Sequence, residues 1–134
     1  MRQTLKKHER LHGKKTIDNL FSQGNSFFSY PFIVYRRIVP VTAQTLPVCA
    51  VLFSVSKKKM SHATQRNLLK RKMKEIFRKN KHLFYPFATT RHCNLHLAFI
   101  YVKNDILDYA TLEKKMTETF QQIILEINQT QNSH

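Results

Sequence analysis

KKKMSHATQRNLLKRKMKEIFRKNK, residues 57–81, holds much of the chain's positive charge and a single acid, Glu75. Taken at 100° per residue, Leu69, Met73, Ile76 and Phe77 fall on one apolar stripe, at spacings of 4, 3 and 1. Arg66, Asn67, Lys70, Arg71, Lys74 and Arg78 read as a second, separate arc. Such a helix buries one side and holds cations at fixed intervals on the other. For a lone Lys/Arg-rich helix the ordinary reading is a solvated face, so the flanking chain has to decide.

Immediately upstream, VCAVLFSVS at 48–56 is an apolar run between Pro47 and three lysines. Its continuity predicts a central strand covered on both faces. The basic helix is expected to start near Ser61 or His62, with Ser61 as N-cap, and to run to about Leu83. Pro86 should end it, leaving 86–94 as a loop. LHLAFIYV at 95–102 predicts a further strand, and 104–108 a turn. The final helix is expected over Tyr109–Ile127, carried by Leu112, Met116, Phe120, Ile123, Ile124 and Ile127, with Thr111 as its cap. Residues 128–134 read as a polar, disordered tail.

Toward the N-terminus, 25–39 is rich in aromatic and β-branched residues and broken by Pro31. That predicts a short first strand and a second over Phe32–Ile38. The proline-bounded stretch 40–47 reads as a loop. Ile17, Leu20 and Phe21 sit at helical spacing within Lys14–Gln23, with Thr16 as N-cap and Gly24 as the stop. Residues 1–14 form a basic arm. The order is α-β-β-β-α-β-α: an α+β two-layer sandwich with a small four-stranded sheet packed with helices, ribosomal-protein-like, in one domain spanning 1–134.

Composition narrows the partner. Of 134 residues, 42% are hydrophobic, with ten Phe and five Tyr, which supports a folded core. Twenty-three Lys and Arg against eight Asp and Glu give a net charge of +15. That excess repels itself on compaction and is relieved by a polyanion, nucleic acid first and an anionic membrane surface second. No apolar run approaches the ~18 residues of a membrane span, and the basic N-terminus leads into no apolar signal-like region. Cys49 and Cys93 lack CxxC spacing and read as buried reduced thiols. A cytoplasmic location is expected.

RNLLKR at 66–71 resembles the RNR signature of the bacterial ribonuclease P protein component, in which an Arg-Asn pair is followed by further basic residues. FSVSKKK at 53–59 is similar to that family's strand-to-helix junction. LHGKKTIDNLFSQGNSFFSYPFIVY at 11–35 is similar to its opening helix and first strands, including the Phe-x-x-Gly step from Phe21 to Gly24. The likeness covers about residues 5–127 in one order. Leu68 departs from it, standing where the family usually has another arginine. The resemblance implies the ribonuclease P protein fold and a subunit that binds the catalytic RNA. It also implies contact with the 5′ leader of precursor tRNA, in a cleft between the first helix and the sheet. The holoenzyme hydrolyses one phosphodiester with Mg²⁺, which the resemblance places mainly on the RNA.

The residues themselves agree on what to expect. Metal-assisted phosphodiester hydrolysis wants clustered carboxylates, and the eight acids here are dispersed. His92, Cys93 and His96 invite a zinc site or an acid–base pair, but the spacing is unspecific and ordinary histidines are the better reading. No residue of the chain is therefore assigned to catalysis and none to a metal. Arg66, Asn67, Lys70, Arg71, Lys74 and Arg78 are the candidates for the catalytic RNA, since phosphates and 2′-hydroxyls are what an RNA helix offers. Phe21, Phe28, Phe32 and Tyr35 should be core for the most part, with one or two facing a groove. Tyr35, beside Arg37, is the best stacking candidate, and the family match adds Phe21. Lys57, Lys58 and Lys59 are expected to contact phosphate. A ribosomal or RNA-chaperone-type protein without enzymatic association is the alternative.

Overall fold

The computed structural model describes residues 9–41 and 49–132; the arm over 1–8 and most of the proline-bounded loop lie outside them. Helix α1 spans Lys14–Gln23 and strand β1 Asn25–Ser29, followed by β2 (Phe32–Pro40) and β3 (Cys49–Val55). Helix α2 (Ala63–Asn80) runs into a 3₁₀ turn at Lys81–Leu83, then α3 (Tyr85–Arg91), β4 (Cys93–Tyr101) and α4 (Tyr109–Asn132). This is the expected α+β sandwich with one added helix. The sheet order is β1-β2-β4-β3, antiparallel except for the parallel β3–β4 pair.

Alternation along the strands gives the sheet two unlike faces. The closed face carries Phe32 and Val34 of β2, Leu95, Leu97, Phe99 and Tyr101 of β4, and Val51, Phe53 and Val55 of β3. Against it lie Leu69, Met73, Ile76 and Phe77 of α2 and Leu112, Met116, Phe120, Ile123 and Ile127 of α4. The apolar stripe read from the sequence is fully buried, at 0% exposure for all four α2 residues. Aromatic rings hold the centre: Phe99 lies 5.5 Å from Phe53 and 5.7 Å from Phe120, and Phe77 lies 5.8 Å from Phe120. Each such pair adds about 0.5–1.5 kcal/mol beyond its area. Ser29 Oγ and Thr119 Oγ1 share a 2.8 Å hydrogen bond, tying α4 to β1. Among the described residues the other face is covered by α1 and the base of the arm, through a small cluster of Leu11, Leu20, Ala50 and Ala98, with Ile17, Tyr35 and Leu52 at its rim.

Several local expectations are corrected. β3 is an edge strand rather than a central one. Its unbroken apolar run reflects two covered faces, not two neighbouring strands. Part of its free edge is taken by the end of the arm, where Leu11 N–H donates to Val51 O at 3.0 Å. The arm is thus ordered at its base: Leu11 is buried and Glu9 pairs with Lys81 at 3.0 Å.

Pro86 does not close a loop; it sits in the first turn of α3, where its missing N–H leaves no helical bond unmade. Helix α4 continues through the polar residues to Asn132, past the Ile127 stop. Its cap is Asp108, not Thr111: Asp108 Oδ2 accepts from Thr111 N–H at 3.2 Å. Neither Thr16 nor Ser61 caps its helix; Gly13 and His62 hold those positions without a side-chain bond. Gly24 ends α1 in extended rather than left-handed backbone. A Cβ there would clash with the carbonyl oxygens of Leu20 and of Arg36, so close approach to β2 is what requires glycine.

Candidate nucleic-acid interface

Helix α2 can offer cations to a partner because its opposite side is locked into the core. Asn67, Arg71 and Lys74 are exposed on the side away from Leu69 and Met73, and Lys70 is half-buried at the border of that side, next to Phe77 on the helix wheel. Among the described residues no carboxylate forms an ion pair with Lys70, Arg71 or Lys74. Four of the eight acids are engaged elsewhere: Glu9 with Lys81, Glu75 with Arg78, Asp105 with Lys103 and Glu126 with Arg36. Arg78 therefore sits on the arc with its charge partly answered by Glu75.

Arg66 leaves the arc. Seven residues before Met73 it lies only about 20° from it on the helix wheel, on the core side. Its Nη1 donates back to Met60 O at 2.9 Å and Ser61 O at 2.8 Å. It closes the turn that leads into α2, in place of a side-chain cap. That turn carries Lys57, Lys58 and Lys59, all exposed, and is pinned from below by buried Met60.

Strand register sets out the half-covered sheet face row by row. Arg37, His96 and Ala50 form one row; Ser26, Tyr35, Ala98 and Leu52 the next; Phe28, Ile33, Ile100 and Ser54 the last. Helix α1 lies over the middle row. Phe21, at its exposed edge, meets Tyr35 edge-on with ring centroids 4.7 Å apart. Arg37 Nη2 donates to Gln23 Oε1 at 2.9 Å, which holds the guanidinium beside the end of α1. Phe21, Tyr35 and Arg37 are thus brought together, and the lysine turn extends β3 beyond Ser54 at the far end. Phe32, by contrast, is wholly buried on the closed face.

His96 shares the open face with Arg37. Burial, and then the nearby Arg37 charge, hold its imidazole below the usual histidine range. Its Nδ1 is buried with no hydrogen-bond partner among the described residues. His92 caps α3 in left-handed backbone, and Cys93 points into the closed core, so the three residues do not converge. Among the described residues no three His, Cys, Asp or Glu gather as a metal site. Nor is any helix among them long and apolar enough to cross a membrane. The open row containing Ile33 and Ile100 was not visible in the sequence, because β-branched strand residues look alike whether covered or bare; only register separates them.

These features define a small basic α+β domain with a cation-bearing helix and an aromatic, half-open sheet. A family model described as Ribonuclease P matches residues 5–124. The chain is 32% identical over 115 residues to the ribonuclease P protein component of Porphyromonas gingivalis strain W83, covering 86% of this chain and 82% of that one. It is 37% identical over 86 residues to the corresponding protein of Chlorobium phaeobacteroides, covering 63% and 59%. The fold is shared with the RNase P protein from Thermotoga maritima, at TM-score 0.65 and 24% identity over 85% of this chain and 96% of that one. The Staphylococcus aureus RNase P protein superposes with TM-score 0.65 at 18% identity, covering 86% and 94%. The chain belongs to the ribonuclease P protein component family. Its members are the protein subunit of a ribonuclease of tRNA processing and associate with the ribonuclease P RNA.

Proposed function

We propose that this protein docks on the catalytic RNA of ribonuclease P through Asn67, Lys70, Arg71 and Lys74, with Arg78 toward the end of the same helix and Arg66 fixing the turn that leads into it. The 5′ leader of precursor tRNA then lies on the half-open sheet face, across Phe21, Tyr35 and Arg37 and toward Lys57, Lys58 and Lys59. The observation that carries this reading is the unanswered charge of α2. A helix whose apolar stripe is fully buried presents three cations that form no ion pair among the described residues, the neighbouring Glu75 being paired with Arg78, and an RNA backbone would complete them.

The protein contributes electrostatics and stacking. Phosphates are neutralised by Lys and Arg, and unpaired bases lie against aromatic rings. Mg²⁺ in the holoenzyme is held mainly by the RNA, which carries out the hydrolysis, and the protein alone cleaves nothing.

Reconstitution tests it. Adding the protein to the catalytic RNA at low Mg²⁺ should raise precursor-tRNA cleavage, whereas a ribosomal or chaperone-type protein would leave it unchanged. If the leader neutralises six cations, log affinity should fall with log salt at a slope of about −4 for a single strand. A slope near zero would remove the leader from the sheet face.

A further inference from the structure

The last row of the open sheet face lies outside the cluster formed with α1. Phe28 is 61% exposed, the most exposed of the large hydrophobics. Its cross-strand partner Ile33 and the adjoining Ile100 are half-buried and belong to neither hydrophobic cluster. An aromatic in a β-strand usually packs on its cross-strand neighbours. Here α1 stops over the preceding row, so the Phe28 ring and the two isoleucines form an uncovered apolar strip.

The surroundings say what would cover it. One end of the strip meets Ser54, from which β3 leads into Lys57, Lys58 and Lys59. At the same end of the sheet, Lys103 lies 5.7 Å from the ring centre of Tyr30, which follows β1. A bare apolar strip edged by cations in a chain of net charge +15 fits a ligand with flat apolar faces and an anionic backbone. An uncharged lipid or an apolar protein helix would match the strip but not the lysine turn at its end. Tyr35 stands opposite Ser26, so Phe28 is its diagonal neighbour across the strand pair, ~7–8 Å away. One nucleotide of extended single-stranded RNA spans that step.

We propose that Phe28 is a base-stacking platform for one further unpaired nucleotide of single-stranded RNA, next to the base held at Phe21 and Tyr35, with Ile33 and Ile100 as its floor. The proposal rests on the reading of this face as the site of the 5′ leader. It makes Phe28 an affinity-determining residue that responds to one leader position.

The test uses the reconstituted holoenzyme and precursor tRNAs whose leaders carry an abasic ribose at each position in turn, with leaderless tRNA as the reference. Phe28→Ala should weaken precursor binding about 5- to 150-fold, leave leaderless tRNA binding unchanged, and lose its effect when the one matching position is abasic. Phe28→Tyr, which keeps the ring, should bind like the parent and guards against a folding defect in the alanine variant. An equal loss for leaderless tRNA, or a loss that persists with every abasic leader, overturns the proposal. If Phe28→Ala changes nothing while Tyr35→Ala weakens leader-dependent binding, the platform falls and the leader reading stands. If neither variant depends on the leader, the leader reading falls with it.

Discussion

The two faces of the sheet use the same residue types to opposite ends. On the closed face, Phe32, Phe53, Phe99 and Tyr101 meet Phe77 and Phe120 from the helices, and every one of these rings is at most 6% exposed. On the other face, Phe21, Phe28 and Tyr35 sit in the same alternating strand-and-helix context but retain accessible edges or faces. The difference is the number of helices: α2 and α4 cover one side, while α1 alone, ten residues long, covers part of the other. Aromatic content therefore says little about core or site here. Coverage decides, and coverage follows from strand register and helix length.

The sharpest way to break this comparison is to truncate one ring on each face. Phe99→Ala removes a fully buried ring in contact with Phe32, Phe53 and Phe120, and should cost about 3–5 kcal/mol of stability by chemical denaturation. Tyr35→Ala loses one edge-on contact with Phe21 and should cost ~1 kcal/mol, with its larger effect on leader binding. Equal stability losses would mean that the second face is core after all.

The same contrast runs along α2. Arg66→Ala leaves the carbonyl oxygens of Met60 and Ser61 without their charged donor and should cost about 1.5–3 kcal/mol. It should also loosen the lysine turn. Lys74→Ala should leave stability within about 0.5 kcal/mol and lower the salt slope of catalytic-RNA binding by about 1. A large loss of stability at Lys74 would show that it serves the fold.

What could be read from the sequence was what repeats at a helical or strand period. The buried stripe of α2, the element order and the two-layer class needed only spacing and β-branched content. What could not be read depended on partners distant in sequence. The edge position of β3 is set by pairing with β4 and by Leu11 from the arm. Arg66 was placed on the cationic arc of the helix wheel, although its distance from Met73 already put it on the core side of the helix. Residues 85–91 hid a helix because Pro86 reads as a breaker unless it is known to occupy a first turn. Of the candidate site, the lysine turn and the exposed arc of α2 were visible, whereas Phe28 was indistinguishable from the core phenylalanines until register placed it.

Leu68 sharpens the comparison from the other side. It is 43% exposed on the outer ridge of α2, one turn from Arg71, where the family usually has arginine. Leu68→Arg should be nearly neutral for stability and should steepen the salt slope of catalytic-RNA binding by about 1. An unchanged slope would place this ridge outside the docking surface.

The smallest expected effect lies on the half-open face, at His96. Its proton affinity is depressed by burial and by Arg37, so the folded state keeps the imidazole neutral where the unfolded chain, with a pKa near 6.5, begins to bind a proton. Stability rises with pH wherever the unfolded state holds more protons. His96 should therefore contribute fully above about pH 6.5, and that contribution should drain away as pH falls through the folded-state value. Denaturation midpoints measured across this window should decline in the parent and decline less in His96→Gln, which cannot take up the proton. The closed face carries no described histidine, so this slope reports on the half-open face alone. If His96→Gln keeps the parent's decline, the acid sensitivity arises elsewhere, and the partial cover of α1 does not bury His96 enough to hold off its proton.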